Sequence, residues 1–101
     1  MIKERTKRLV ESALVTYYKE MASEFVGEFL FAEEVLVRNI KHILEEDTIH
    51  QPSKNLVTLQ KIYERYAELV RLNERFIAEK MFVKDLENFV FSENIKRVVK
   101  I

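Results

Sequence analysis

The sequence predicts an all-α fold, a long antiparallel helical hairpin followed by a short C-terminal helix. The chain of 101 residues contains one glycine and one proline, so it has few positions where it can reverse direction. Its apolar residues recur at steps of three and four, which is the spacing of an amphipathic helix. Hydrophobic residues make up 48% of the chain and charged residues 34%, which indicates folded helices with a strongly charged surface.

The first predicted helix covers residues 3–47. Its apolar positions fall on one side of a helix and form a stripe: Leu14, Tyr18, Met21, Phe25, Phe29, Ala32, Leu36, Ile40 and Ile43. The stripe keeps its phase across Gly27, which indicates that this glycine lies inside one continuous helix, at a cost of about 1 kcal/mol relative to alanine. A kink or a break at Gly27 is the alternative.

A loop is predicted over residues 48–55, because Pro52 disfavours helical geometry before it and Ser53 or Asn55 can cap a following helix. The second helix is predicted over 56–91. Its apolar pattern changes phase after Met81, which indicates either a bend or a different neighbour for the last turns. A new N-cap signal at residues 92 and 93 predicts a short final helix over 93–100, with a strand around the Val98–Val99 pair as the alternative. We interpret residues 1–101 as one domain.

Two helices of about 65 Å and about 50 Å, at 1.5 Å per residue, cannot enclose a core between themselves. Two hairpins that pair into a four-helix bundle, a homodimer with coiled-coil-like packing, are the simplest way to cover the apolar side chains. Val26 adds apolar surface outside the main stripe, which favours this arrangement. The predicted oligomer interface consists of Met21, Phe25, Phe29, Phe31, Ala32, Leu36, Tyr66, Leu69 and Ile77.

No pattern in the sequence points to catalysis. Without cysteine there is no thiol nucleophile or zinc–thiolate site, and no nucleophile elbow or glycine-rich phosphate loop occurs. A loose group of possible metal ligands lies near the predicted loop, but ordinary solvated charge is the alternative interpretation: His42, Glu45, Glu46 and His50. The sequence therefore predicts a protein that is not an enzyme and has no metal or cofactor.

Positive charge is concentrated near both ends of the chain, although Lys+Arg and Asp+Glu balance at 17 each. In an antiparallel hairpin the two ends meet, which would create a footprint for phosphate groups. The candidate nucleic-acid contacts are Lys3, Arg5, Lys7, Arg8, Lys96, Arg97 and Lys100. The alternative is that cations near a helix C-terminus simply complement the helix dipole.

The function predicted from these features is that of a non-enzymatic helical assembly or adaptor protein. It would bind itself, as a homodimer, and a second protein through its helical surface. The alternative is a small dimeric nucleic-acid-binding regulator that uses the clustered basic ends. No apolar run is long enough to cross a bilayer and no signal sequence is recognisable, so we expect a soluble cytoplasmic protein with no membrane partner.

Overall fold

A computed structural model describes the backbone of residues 4–22, 29–47 and 53–99, and the side chains of 4–22, 32–46 and 53–91. Within these ranges the fold is all-α, as predicted, with four helices and no strand. The helices are α1 (Arg5–Met21), α2 (Phe29–Asp47), α3 (Lys54–Arg71) and α4 (Arg75–Val99). None of the described helices is long and apolar enough to cross a membrane.

The predicted continuous helix over 3–47 is wrong, because these residues form two helices. The amide of Ala22 closes the last turn of α1 by donating to the carbonyl of Tyr18 at 2.9 Å. α2 packs against α1. Gly27 itself lies outside the described residues. The longest extent of the molecule is 39 Å, well short of the length that a single helix over 3–47 requires.

The predicted helix over 56–91 is also wrong, because the chain turns between α3 and α4. Asn73 has a φ of 67°, in the left-handed region that asparagine tolerates better than most residues. The amide of Asn73 donates to the carbonyl of Val70 at 2.9 Å, and the amide of Glu74 donates to the carbonyl of Leu69 at 3.0 Å. These two bonds form a Schellman motif, which ends a helix. The separate short helix over 93–100 is wrong as well, since α4 continues to Val99.

Side-chain caps define the starts of α1 and α3. The Ser53 hydroxyl accepts a hydrogen bond from the amide of Leu56 at 3.1 Å, which confirms one of the two predicted caps. The carboxylate of Glu4 accepts one from the amide of Thr6 at 3.1 Å and another from the side-chain amide of Asn55 at 2.8 Å. Burial tends to raise the pKa of Glu4, but these bonds outweigh burial and lower its pKa. The second bond ties the start of α1 to the start of α3.

All four helices contribute to one buried core. Its apolar members are Val10, Ala13, Leu14, Tyr17, Ala32, Leu36, Ile40, Ile43, Leu44, Leu56, Leu59, Tyr66, Ala78, Phe82, Leu86, Phe89 and Val90. The rings of Tyr66 and Phe82 stack at its centre, with centroids 4.5 Å apart. A single chain thus supplies the four helices that the sequence led us to expect from two copies, while the homodimer itself stays a prediction.

The predicted apolar stripe is right for α2 and wrong for the end of α1. Ala32, Leu36, Ile40 and Ile43 are all buried. Tyr18 is 42% exposed and Met21 is 37% exposed. α1 instead buries a neighbouring face that consists of Thr6, Val10, Ala13, Leu14 and Tyr17.

Candidate functional site

The turn end of the α3–α4 hairpin carries a cluster of exposed apolar side chains, which we call the turn patch: Val70, Leu72, Phe76 and Ile77. Phe76 is 72% exposed and Leu72 is 57% exposed, although phenylalanine and leucine are usually buried in folded proteins. The turn at Asn73 places the last turn of α3 and the first turn of α4 at the same end of the hairpin. Grouped exposed apolar residues are typical of interaction sites.

Charged groups of both signs border the turn patch. Arg71 forms an ion pair with Glu68 at 2.6 Å, and both side chains are largely exposed, so the pair contributes little to stability. The Lys80 ammonium lies 4.4 Å from the centroid of the Phe76 ring, a cation–π contact that favours this position of the ring. An apolar centre inside a polar rim is the usual anatomy of a protein–protein interface.

A polar cluster joins α2, α3 and α4 next to the turn patch. Glu33 is 7% exposed and accepts a hydrogen bond from the Tyr66 hydroxyl at 2.5 Å. Arg75 lies 3.4 Å from the other oxygen of the Glu33 carboxylate. Burial and the bond to Glu33 raise the pKa of Tyr66 well above its ordinary value of 10. The tyrosine therefore stays a neutral donor near neutral pH, and the cluster acts as a structural link between helices.

Two further tyrosine–glutamate bonds connect α1 to α4. The Tyr17 hydroxyl donates to the carboxylate of Glu79 at 2.5 Å, and the Tyr18 hydroxyl donates to the carboxylate of Glu87. Burial, followed by these hydrogen bonds, raises the pKa of Tyr18 to about 12 and that of Tyr17 further. Together with the Tyr66–Glu33 bond, they link the two hairpins through polar contacts.

The open end of the α3–α4 hairpin contains a cleft of about 680 Å³, which we call the basic cleft. Among the described residues, four cationic side chains line it, Lys7 from α1 and Lys54, Lys61 and Arg65 from α3, with one acidic side chain, Asp85 from α4. Ligand sites in proteins commonly have volumes of about 300–1,000 Å³. The basic cleft therefore has the size and charge of a site for an anionic group.

Two apolar side chains also line the basic cleft. Ile62 and Phe89 line it, and the ammonium of Lys7 lies 5.9 Å from the centroid of the Phe89 ring. The guanidinium of Arg65 lies 3.7 Å from the carboxylate of Asp85. Four cations against one carboxylate give the described lining residues a net positive formal charge.

The predicted interface residues fall into three groups. Ala32, Leu36 and Tyr66 are buried among the helices of the chain itself, and Leu69 is partly buried against the same core. Met21 is 37% exposed and Ile77 is 46% exposed, and Ile77 belongs to the turn patch. The side chains of Phe25, Phe29 and Phe31 lie outside the described residues. The oligomer interface stays a prediction. Among its predicted residues whose side chains the structure describes, Met21 and Ile77 are exposed.

The predicted basic residues are only partly brought together. Lys7 lines the basic cleft, whereas Arg5 and Arg8 are exposed elsewhere on α1. The side chains of Lys3, Lys96, Arg97 and Lys100 lie outside the described residues. The other cations that line the cleft are Lys54, Lys61 and Arg65, which sequence reasoning missed. Their spacing of seven and four residues places them on one face of α3, and this spacing was the signal that could have found them.

The possible metal ligands near the loop do not form a site within the described residues. His42 lies 3.1 Å from Glu46, four residues later on α2, and both side chains are more than half exposed. His50 lies outside the described residues. Among the side chains that the structure describes, no group of three or more histidines and carboxylates is placed to hold a metal ion.

No model of a known protein family matches the chain, and no solved structure matches it. RNA-directed RNA polymerase L of Rice stripe virus (isolate T) is 34% identical to the chain over 88 residues. That stretch covers 82% of this chain and 3% of the polymerase. The chain therefore spans about 3% of the length of the curated protein that it matches, and the likeness is to a small segment of a far larger protein.

Proposed function

We propose that the chain is a non-enzymatic helical assembly module that acts through protein–protein interaction, and that a second copy binds at its turn patch. The observation that carries this proposal is the exposure of Phe76, 72%, at the end of the hairpin where Leu72 and Ile77 are also exposed. Covering an exposed phenylalanine removes apolar surface from water and contributes about 1.5–3 kcal/mol for complete burial. A complex in which a partner covers Phe76 is therefore stabilised.

Charge favours a second copy as the occupant of the turn patch. The chain carries a formal net charge of zero, so two copies do not repel one another through their net charge. The rim of the patch contains Arg71 and Glu68, and Lys80 stands over Phe76. In a two-fold symmetric contact the same surface faces itself, and a rim with both signs of charge can complement its own copy.

Sedimentation equilibrium at micromolar concentration tests the proposal. We expect the wild type to behave as a dimer and the double variant Phe76→Ser/Ile77→Ser to behave as a monomer of 12.1 kDa. The matched control is Val57→Ser, because Val57 is as exposed as Ile77, 48% against 46%, but lies at the other end of α3. A wild type that stays monomeric, or a control that dissociates as fully as the double variant, would contradict the proposal.

The nucleic-acid alternative remains a second proposal, supported by the position of Lys7 in the basic cleft. The matched relative is named an RNA-directed RNA polymerase, which makes RNA the nucleic acid to examine first. Because the chain spans 3% of that protein, we propose no polymerase chemistry for it. A role as an adaptor for a second protein would use the same turn patch, in competition with self-association.

A further inference from the structure

We infer that the basic cleft binds the backbone phosphates of a single-stranded nucleic acid. This inference rests on the second proposed function, nucleic-acid binding at the open end of the α3–α4 hairpin, and is independent of self-association at the turn patch. It rests on a cleft of about 680 Å³ whose lining holds four cationic side chains and one acidic side chain. Lysine and arginine side chains supply the sequence-independent part of nucleic-acid affinity by neutralising phosphates.

The cations of the cleft form a row rather than a single cluster. Lys54, Lys61 and Arg65 lie on one face of α3. At 1.5 Å per residue the row extends for about 16 Å along the helix, with steps of about 10 Å and about 6 Å. One phosphate cannot contact cations spread over that length. A ligand with several phosphates in succession can do so, and positively charged grooves that follow a strand are the usual binding mode for single-stranded nucleic acids.

The helix dipoles do not favour the lysines at this end, where the capping carboxylate of Glu4 is bonded to Thr6 and Asn55. Lys54 is in the first turn of α3, which contains no acidic residue, and Lys7 is in the first turn of α1, which also contains none. The N-terminal end of a helix dipole is positive and disfavours a cation. Lys54 at such a position, in a cleft with three other cations, fits a ligand that brings negative charge.

The interior of the cleft favours contacts with phosphates over contacts with bases. Phe89 is 6% exposed and Lys7 stands over its ring, so Phe89 does not offer a free aromatic face on which a base could stack. We therefore expect little dependence on base sequence. Residues of α1, α3 and α4 line the cleft, and we expect it to admit a single strand more readily than a rigid duplex.

Replacing Asp85 provides a test in which binding should become tighter, whereas replacing the lysines should weaken it. Asp85 is the acidic side chain in the lining and lies 3.7 Å from Arg65. A phosphate that approaches Arg65 must compete with this carboxylate. Asp85→Asn should therefore tighten binding, a gain that a purely structural role for the cleft does not produce.

The experiment is fluorescence anisotropy with a labelled uridine 12-mer, over a series of salt concentrations, with the fold of each variant checked by circular dichroism. We expect Lys54→Gln/Lys61→Gln to weaken binding about tenfold near physiological salt, and the loss of two phosphate contacts to flatten the salt slope by about 1.4. The matched control is Arg38→Gln/Lys41→Gln, which removes the same charge from exposed positions of α2 and should bind as the wild type does.

Three outcomes would overturn the inference. The first is no binding of the wild type to the 12-mer at micromolar concentration. The second is an equal loss of affinity in both double variants, which would show that net charge and not the cleft determines binding. The third is equal or tighter binding of a 12-base-pair duplex RNA, which would contradict a site shaped for a single strand.

Discussion

The two ends of the α3–α4 hairpin present surfaces of different chemistry on the same pair of helices. The turn end exposes apolar side chains around Phe76, whereas the open end gathers cations around Lys61. Apolar contacts act at short range and arise from the removal of surface from water. Interactions between exposed charges reach about 8 Å at physiological salt and weaken as salt is added. A small fold can thus carry two separate binding functions that respond differently to salt.

The largest expected effect is the difference in stability loss between truncating a phenylalanine in the core and truncating one in the turn patch. Phe82 is 1% exposed and Phe76 is 72% exposed, six residues earlier on the same helix. Truncation of a buried phenylalanine leaves a cavity, so Phe82→Ala should lower the free energy of unfolding by about 3–5 kcal/mol. Phe76→Ala should change it by no more than about 0.5 kcal/mol at concentrations where the chain is monomeric. Urea unfolding measures both, and equal losses would mean that Phe76 belongs to the core.

A smaller effect should appear at alkaline pH and originate from the tyrosine–carboxylate bonds between helices. Burial and bonds to carboxylates raise the pKa of Tyr18 to about 12 and those of Tyr17 and Tyr66 above their ordinary value of 10. A raised pKa in the folded state stabilises the fold fully below pH 10, and this contribution is lost as the pH rises from 10 through 12. We expect the free energy of unfolding to fall over this range, and less steeply in Tyr66→Phe. An identical pH profile for the variant and the wild type would exclude this origin.

The sequence predicted the helical class and the buried face of α2 because both depend on local periodicity. Leu36 and Ile40 fall on the expected stripe, and both are fully buried. The same reasoning failed for Tyr18, which is 42% exposed, because it assumed one helix axis across Gly27. The apolar residues of two successive helices can follow one periodic pattern in the sequence even though each helix packs a different face against the core. Periodicity alone therefore does not reveal where a chain reverses.

The candidate surfaces were less predictable than the helices because they depend on tertiary contacts. The turn patch exists only because Asn73 adopts a left-handed conformation, and the residues around it contain no glycine or proline to signal a turn. The basic cleft combines Lys7 with Lys61, 54 residues later in the chain. The sequence identified Lys7 as part of a basic cluster, but only the packing of α1 beside α3 shows which cations are its neighbours.

The most direct test of self-association at the turn patch measures distances between spin labels in two copies. The chain has no cysteine, so Ala67→Cys and Val57→Cys each provide one label site on an exposed position of α3. The two sites are separated by about 15 Å along the helix, so in a pair joined at the turn patch the distances between copies differ by up to about 30 Å. Pulsed electron paramagnetic resonance should give the shorter distance for Ala67→Cys. A distance for Val57→Cys that is equal or shorter would contradict contact through the turn patch.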